Sequence, residues 1–229
     1  MAVWVVTGAN RGLGARFVDV LSARGDLVFA GARDPAHVPA SSGSGVVHPL
    51  PLDVRDDRSV LAFAEAIAQT TQHVDVLLNN AGVADGRWSS LSDVDPETML
   101  DVFDVNTVGP LRTSRALWGL LLNAPEGGRI AHISSLMGSI EDCASGRSYA
   151  YRPSKTALNM VSKILAVEGQ PHGITSTAYH PGWVKTDMGG EHAPLTIEES
   201  VGDLLRLIDR QNPSVSGGFL EHTGRTLPW

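Results

Sequence analysis

The 229-residue sequence contains only one cysteine, Cys143. A single cysteine excludes an internal disulfide, so we expect neither a disulfide-stabilised secreted domain nor an oxidising compartment. Basic side chains are also scarce, because 18 Lys and Arg face 25 Asp and Glu and give a formal net charge of −7. An acidic protein of this kind gives no reason to expect a nucleic-acid partner or an anionic membrane surface.

Long apolar runs and metal-ligand patterns are missing as well. The run at 2–6 ends at once in Thr7 and Gly8, which is too short for a signal peptide, and no stretch approaches the ~20 apolar residues of a membrane span. The eight histidines show no H-E-x-x-H or Cys/His ligand spacing, so we predict no metal site. We therefore expect a cytoplasmic protein that binds neither metal nor membrane.

What the sequence does contain is an alternation of short apolar runs with longer amphipathic ones. This alternation predicts one α/β domain over 1–229, a Rossmann-type doubly wound parallel β-sheet flanked by helices on both faces. Predicted strands occupy 3–6, 27–30, 46–50, 74–78, 129–133 and 174–179, with a last strand within 216–225. Predicted helices occupy 12–24, 58–69, 97–122, 149–168 and 197–209, and the last begins with the capping-box spacing of Thr196 and Glu199.

A glycine-rich turn, TGANRGLG at 7–14, joins the first predicted strand to the first helix. Gly8, Gly12 and Gly14 allow a tight turn and a close approach of a pyrophosphate to the free N–H groups of the helix. The spacing differs from the G-x-G-x-x-G dinucleotide fingerprint, so an ordinary turn with three glycines remains an alternative at this point.

The end of the second strand indicates which dinucleotide would bind. NAD enzymes place an acidic residue there against the ribose 2′-hydroxyl, whereas an arginine accommodates the 2′-phosphate of NADP. Here Ala32 fills the acidic position and Arg33 follows it, with Arg11 of the glycine-rich turn as a second cation. We therefore predict NADP(H) rather than NAD(H). The alternative is that Arg33 is solvated and Asp34 contacts the ribose.

Tyr151 and Lys155 lie four residues apart on a predicted helix and project from the same face. A lysine ammonium one turn away stabilises a phenolate, so we expect it to lower the tyrosine pKa from its ordinary value of ~10. Ser134 and Ser135 end a predicted strand, where a hydroxyl can hold a substrate carbonyl oxygen. Taken separately, the spacing of Tyr151 and Lys155 is also typical of a surface pair, and the two serines are also typical of a turn. A buried Asn106 is also typical of a core amide whose hydrogen bonds are satisfied within the protein.

Together these blocks resemble the short-chain dehydrogenase/reductase superfamily from end to end. The matching blocks are TGANRGLG (7–14), LDV (52–54), NNAG (79–82), Asn106, the ISS that ends in Ser135, YRPSK (151–155) and PGWVKTD (181–187). Within the superfamily, SLMGSI, YAYRPSKTALN and HPGWVKTDMGG are most similar to the C-factor and sniffer-like carbonyl reductase branch. The resemblance implies an NADP(H)-dependent oxidoreductase that acts on a small carbonyl or alcohol substrate.

The resemblance also implies a role for each matching residue. Tyr151 would be the general acid/base, and Ser135 would orient the carbonyl. Lys155 would bind the nicotinamide ribose and lower the tyrosine pKa, while Asn106 would hold a water that links Lys155 to solvent. The implied cofactor contacts are Gly8, Asn10, Arg11, Gly12, Leu13, Gly14, Arg33, Asp53, Val54, Asn80, Ala81, Gly82, Tyr151, Lys155, Pro181, Gly182, Val184 and Thr186.

The sequence departs from the family pattern in two places. The 16 residues from Ser135 to Tyr151 exceed the commonest family spacing, and we expect the extra segment 141–148 to form part of the substrate rim. The chain also reaches its next predicted helix soon after Thr186, so we expect a short substrate lid.

The resemblance bears on partners in two further ways. Family members commonly form homodimers or homotetramers through the helices predicted here at 97–122 and 149–168, so we expect a homo-oligomer. The similarity to C-factor leaves a second hypothesis, an NAD(P)-binding signalling module that acts through a partner protein. The complete set of Ser135, Tyr151, Lys155 and Asn106 favours an enzyme.

Overall fold

The computed structural model describes residues 1–85 and 89–229, and its centre is one seven-stranded sheet. In chain order the strands are β1 (Val3–Thr7), β2 (Leu27–Ala32), β3 (Val46–Pro51), β4 (Val76–Asn79), β5 (Arg129–Ile133), β6 (Thr175–His180) and β7 (Phe219–Glu221). They lie in the order β3-β2-β1-β4-β5-β6-β7, and every neighbouring pair is parallel. The direction of winding reverses between β1 and β4, where such folds form a ligand crevice at the carboxyl ends of the strands.

Within the described residues, six helices cover the two faces of this sheet. They are α1 (Gly12–Ala23), α2 (Asp57–Ala68), α3 (Pro96–Phe103), α4 (Gly109–Leu122), α5 (Tyr151–Gly169) and α6 (Ile197–Asp209). The predicted doubly wound α/β fold is therefore confirmed, including the last strand and the capping box at the start of α6.

One predicted helix differs from the observed one. The prediction gave a single helix over 97–122, whereas a π turn at Asp104–Val108 separates α3 from α4 along an otherwise continuous helical path. The hydrogen bond from the Gly109 N–H to the Asp104 carbonyl marks this wider turn. A π turn inserts an extra residue into a helix and is frequent at functional sites. Asn106, a predicted catalytic residue, lies within this turn.

Strand β1 shows how the sequence produces two cores. All five of its residues are buried, and their side chains alternate between the faces of the sheet. Trp4 and Val6 pack in a cluster with side chains of α1 and α6. Val3 and Val5 pack in a second cluster with side chains of α2, α4 and α5. The apolar run at the start of the chain therefore supports both helical layers.

Two further features follow from local chemistry. Pro49 and Pro51 are tolerated in β3 because it is an edge strand, paired only with β2 among the described residues. Within residues 1–85 and 89–229, no helix has the length and apolar character needed to span a bilayer. The same ranges contain no group of three or more His, Cys, Asp and Glu side chains arranged to hold a metal ion.

Candidate active site

The glycine-rich turn packs directly against the segment that follows β4. Gly8 has a φ of +66°, and a Cβ there would lie 2.8 Å from the Cα of Ala81, so this position requires glycine. The Thr7 hydroxyl accepts hydrogen bonds from the backbone N–H groups of Asn80 (3.1 Å) and Ala81 (3.0 Å). The Asn80 amide donates to the carbonyls of Thr7 (2.9 Å) and Gly8 (3.1 Å). These contacts join two predicted cofactor blocks at the point where the sheet order reverses.

The start of α1 is suited to an anion. Arg11 is the N-cap residue, and an arginine side chain offers no acceptor to the N–H groups of the first turn. Its guanidinium instead extends to Asp187, with an Nη1–Oδ2 distance of 2.6 Å. Gly12, Leu13 and Gly14 form the first turn of the helix. Their N–H groups lie at the positive end of the helix dipole, where a phosphate is favoured.

The predicted adenine end of the site lies where β2 and β3 end. Arg33 directly follows β2 and is exposed. Arg55 lowers the pKa of Asp53 by a hydrogen bond and an ion pair (Nη2–Oδ2, 2.9 Å), and the charge of Arg33 adds to the effect. The carboxylate of Asp34 accepts a hydrogen bond from the Ala36 N–H at 3.1 Å and caps a short 3₁₀ turn. Asp34 is therefore already engaged by its own backbone, which weighs against its alternative role as a ribose ligand.

Asp53 and Val54, predicted together as adenine contacts, have different surroundings. Val54 is buried, and its side chain packs where Gly109 of α4 leaves room. The Asp53 N–H donates to the Ser59 hydroxyl at 2.9 Å, while its carboxylate stays at the surface near Arg33. Asp53 can thus meet a ligand with its side chain, whereas a contact from Val54 would use its backbone.

Three predicted catalytic side chains meet beside the carboxyl end of β5. Ser135 follows this strand, and its hydroxyl accepts a hydrogen bond from the Met137 N–H at 3.2 Å. The same hydroxyl is hydrogen-bonded to the phenol of Tyr151, the first residue of α5. Lys155 lies one turn further along α5, with its Nζ 5.7 Å from the centroid of the Tyr151 ring. The structure therefore brings together Ser135, Tyr151 and Lys155 as predicted.

The neighbouring serine has a different role. The Ser134 hydroxyl donates to the side-chain oxygen of Asn159 at 2.6 Å and is buried between β5 and α5. Of the two serines that end β5, only Ser135 is hydrogen-bonded to Tyr151 among the described contacts.

Burial sets the protonation states of Tyr151 and Lys155. It raises the pKa of Tyr151, which the hydrogen bond with Ser135 only partly opposes, and it lowers the pKa of Lys155 to about 8. The Lys155 ammonium donates to the carbonyl of Ile133 at 2.8 Å. The predicted lowering of the Tyr151 pKa by Lys155 is therefore wrong for this geometry, because loss of hydration of the phenolate dominates. Tyr151 is a protonated phenol at neutral pH.

Asn106 lies in the π turn and is fully buried. Its Oδ1 accepts from the Val83 N–H (2.8 Å), and its Nδ2 donates to the Val83 carbonyl (2.8 Å) and to the Ser154 hydroxyl (3.0 Å). A Cβ on Gly82 would lie 3.4 Å from both Asn106 Oδ1 and Lys155 Nζ, so the three residues are adjacent. The side chain is a satisfied core amide beside Lys155, and its role in holding a relay water remains a prediction.

The segment 181–195 folds back toward the glycine-rich turn. A β-bridge between Val184 and Leu195 closes it into a loop, and the Thr186 methyl group lies within van der Waals reach of Gly12. The next residue is Asp187, the partner of Arg11. This loop contains the predicted nicotinamide-side residues Pro181, Gly182, Val184 and Thr186. Their block therefore faces the glycine-rich turn across the crevice.

A buried polar network lies beneath Lys155 and was not predicted. His132 is fully buried in β5, with Nδ1 3.3 Å from the Asn79 amide and Nε2 3.2 Å from the Ser176 hydroxyl. Burial, and secondarily the charge of Lys155, lower the pKa of His132 to about 3, so the ring is neutral. The Asn79 amide can only donate to Nδ1, which places the proton on Nε2. The signal available in the sequence was a histidine between two apolar residues, Ala131 and Ile133, of a predicted strand.

Three other contacts at the site were also missed. Thr7 supports the segment after β4, Ser154 holds Asn106, and Asp187 pairs with Arg11. Each of them lies inside a matching sequence block, so a polar side chain at a block position was the signal that could have indicated it.

Comparison with known proteins identifies the relatives of this chain. A family profile described as short chain dehydrogenase matches residues 2–194. The chain is 46% identical over 169 residues to C-signal from Myxococcus xanthus, which covers 73% of this chain and 99% of that protein.

Two solved structures are similar over the full length of both chains. The NADPH-bound carbonyl reductase from chicken fatty liver is 34% identical with a TM-score of 0.89 and 100% coverage of each chain. The carbonyl reductase Sniffer of D. melanogaster is 33% identical with a TM-score of 0.92, again with 100% coverage of each chain. The sheet order and the positions of the site residues described above are therefore set in a framework shared with these two proteins.

Proposed function

The chain belongs to the short-chain dehydrogenase family of oxidoreductases, and from that premise we propose that it is an NADP(H)-dependent carbonyl reductase. It would transfer hydride between the nicotinamide and a small carbonyl or alcohol substrate. The observation that carries the proposal is the contact between Ser135, which follows β5, and Tyr151, which begins α5. Lys155 lies one turn further along α5. A similar chain, the carbonyl reductase from chicken fatty liver, is NADPH-bound.

The described residues fit a dinucleotide that carries a 2′-phosphate. The first turn of α1 offers N–H groups to the pyrophosphate, and the lack of side chains at Gly8 and Gly14 lets this turn pack closely against Ala81 and Asn80. Arg33 is exposed at the end of β2, where a 2′-phosphate would be met by a charge-assisted hydrogen bond. Asp53 would hold the adenosine end and the loop carrying Thr186 the nicotinamide end.

Ser135 and Tyr151 would act on the substrate oxygen. A nicotinamide held by this site would supply the hydride that reduces the carbonyl carbon. Hydrogen bonds from Ser135 and Tyr151 stabilise the negative charge that develops on the oxygen, and the phenol then donates its proton. The raised pKa of Tyr151 suits this direction, because the phenol carries the proton that reduction consumes. Lys155 is protonated below its pKa of about 8 and lies beside the ring, where it can replace the proton that Tyr151 donates.

The test is a comparison of two tyrosine variants in NADPH oxidation with a panel of aldehydes, ketones and quinones. Tyr151→Phe should lower turnover by about 10²–10⁴-fold, the usual contribution of a positioned acid, without weakening NADPH binding. Tyr149→Phe removes a hydroxyl two residues away, at an exposed position, and should leave turnover unchanged. Equal turnover by Tyr151→Phe and the parent protein would overturn the mechanism.

A second candidate function is favoured by the 46% identity with C-signal. In that case the protein would bind NADP(H) and act through a partner protein. Tight NADPH binding with no turnover on any member of the panel would support this candidate and count against the reductase.

We also propose that the protein is a homo-oligomer. Apolar side chains on the helical pair α4 and α5 are exposed: Leu111, Leu122, Met160, Ile164 and Val167. Burying such a surface against a second copy would remove it from water. Sedimentation equilibrium at micromolar concentration tests this, and a monomer would contradict it. The cytoplasmic location expected from the sequence stays a prediction.

A further inference from the structure

The segment that connects Ser135 to Tyr151 is held at its outer end by Trp229. The Trp229 carbonyl accepts hydrogen bonds from the Glu141 N–H (2.9 Å) and the Ser139 hydroxyl (3.2 Å). The Ser139 hydroxyl in turn accepts from the Asp142 N–H at 3.1 Å. Trp229 therefore holds two points directly, Ser139 and Glu141, and a third, Asp142, through Ser139, on the chain that leaves the site at Ser135.

The ring of Trp229 is anchored to the sheet. It stacks on Phe219 of β7 with 5.8 Å between ring centroids and 22° between planes. Phe219 is buried in a small cluster with Ala178 and Leu227, against which Leu136 packs. The ring thus decides where the Trp229 carbonyl lies, even though the hydrogen bonds to the segment come from the backbone.

The inner part of the same segment is held independently. The carbonyl of Gly138 accepts from the Thr156 hydroxyl (2.9 Å) and the Asn159 amide (3.4 Å) of α5. A Cβ on Gly138 would lie 2.8 Å from the backbone of Lys155, so this turn fits closely against the helix. Ser135, which precedes the turn, is therefore positioned by α5, whereas residues 139–142 depend on Trp229.

We propose that residues 139–142 form a wall of the substrate cleft, and that Trp229 is a positioning and specificity-determining residue, which fixes this wall without touching the reacting atoms. The inference rests on the proposed carbonyl reductase function. Because the two parts of the segment have separate supports, loosening Trp229 alters the wall and leaves Ser135 in place. Trp229 also lies outside residues 2–194, the part matched by the family profile, so this support is not among the features the profile describes.

Kinetics with a small and a bulky carbonyl substrate test whether Trp229 supports the 139–142 wall separately from Ser135. Trp229→Ala should raise KM for a bulky aromatic ketone about tenfold, equivalent to ~1.4 kcal/mol, and change kcat for the smallest aldehyde less than about twofold. Trp229→Phe keeps an aromatic ring over Phe219 and should restore KM to within about threefold of the parent value. Arg115→Gln is the control, because it breaks an exposed ion pair with Asp57 and Arg115 makes no described contact with residues 139–142.

A second measurement does not depend on turnover. The Glu141 amide donates to the Trp229 carbonyl, so its hydrogen exchange should accelerate at least about tenfold in Trp229→Ala and stay unchanged in Arg115→Gln. Ser139→Ala loosens the same contact from the other side. Its effect on KM should therefore be less than additive with that of Trp229→Ala, since both variants break one shared support.

The outcomes separate this inference from the proposed function. Faster exchange at Glu141 with a raised KM and an intact kcat supports the positioning role. Unchanged exchange, an unchanged KM, or a Phe variant as impaired as the Ala variant overturns it. If the parent protein reduces no carbonyl, the reductase proposal fails, and unaltered exchange in Trp229→Ala would then overturn the structural support as well.

Discussion

The two ends of the crevice are built in different ways. At the catalytic end, Asn106 is fully buried and Lys155 is 4% exposed, and each donates a hydrogen bond to a buried group, the Ser154 hydroxyl and the Ile133 carbonyl respectively. Away from the catalytic residues, Arg11 of the glycine-rich turn and its partner Asp187 have side chains that are 64% and 81% exposed. Arg33, at the adenine end, is exposed as well. The catalytic end is held by packing, whereas the phosphate-binding side relies on solvent-exposed charged side chains.

This difference follows from what each end must do. A catalytic group has to be held in one geometry, and buried partners with no solvent to exchange with provide that. A phosphate is recognised through charge, and an exposed arginine can exchange one anionic partner for another at little cost, since exposed ion pairs contribute about 0–1 kcal/mol. Substitutions at the catalytic end should therefore lower the free energy of unfolding, whereas substitutions at the adenine end should weaken ligand binding.

The largest expected effect is on stability at the catalytic end. Asn106→Ala leaves both polar backbone groups of Val83 and the Ser154 hydroxyl without the partner they have now. We expect the free energy of unfolding to fall by about 2–4 kcal/mol, because buried polar groups become unsatisfied. Asn123→Ala is the control, since its amide donates an exposed hydrogen bond to the Gln72 carbonyl. Equal losses in urea denaturation of the two variants would contradict the contrast between the ends.

The next effect is on affinity at the adenine end. Arg33→Ala should raise the Kd for NADPH by about tenfold or more, because a charge-assisted hydrogen bond to the 2′-phosphate contributes roughly 1.5–3 kcal/mol. The Kd for NADH, which has no such phosphate, and the stability of the protein should not change. Arg210→Ala removes a similar charge at the end of α6 and serves as the control. A parallel loss of NADH affinity in nucleotide fluorescence titrations would show that Arg33 does not read the phosphate.

The smallest effect concerns pH and the buried network. Burial lowers the pKa of His132 to about 3 in the folded chain, whereas an unfolded chain binds this proton near pH 6.5. Between these values the unfolded state holds more protons, so stability falls as the pH decreases, by up to about 1.4 kcal/mol per pH unit for this group. His132→Asn should reduce the slope of unfolding free energy against pH between about 4.5 and 6. His192→Asn, at an exposed position, should leave the slope unaltered; identical slopes in all three proteins would exclude the contribution of His132.

Much of the fold could be predicted because it depends on local periodicity. The apolar run of β1 and the Thr196–Glu199 capping box were readable from residues close together in the chain, and both are confirmed. The π turn could not be predicted in this way, because one extra residue in a helix changes the hydrogen-bonding pattern without interrupting the amphipathic sequence.

The site was predictable to a different degree. The sequence blocks indicated Ser135, Tyr151 and Lys155, and the sheet topology brings them together. The ion pair between Arg11 and Asp187 joins residues 176 positions apart, which no local pattern can reveal. The direction of the Tyr151 pKa depended on burial and on the Lys155 ammonium pointing at Ile133, both properties of the packed structure.

The π turn at Asp104–Val108 also constrains how this helix can change length during evolution. A regular α-helical turn is closed by a hydrogen bond over four residues, whereas the π turn is closed over five, so the extra residue is accommodated within that turn and the helix continues on both sides of it. In regular α-helix before Leu117, losing one residue would rotate the following side chains by about 100° and turn Leu117 and Leu121 away from the sheet. The π turn is therefore the place at which this helical path can lose one residue and keep its core side chains on the sheet.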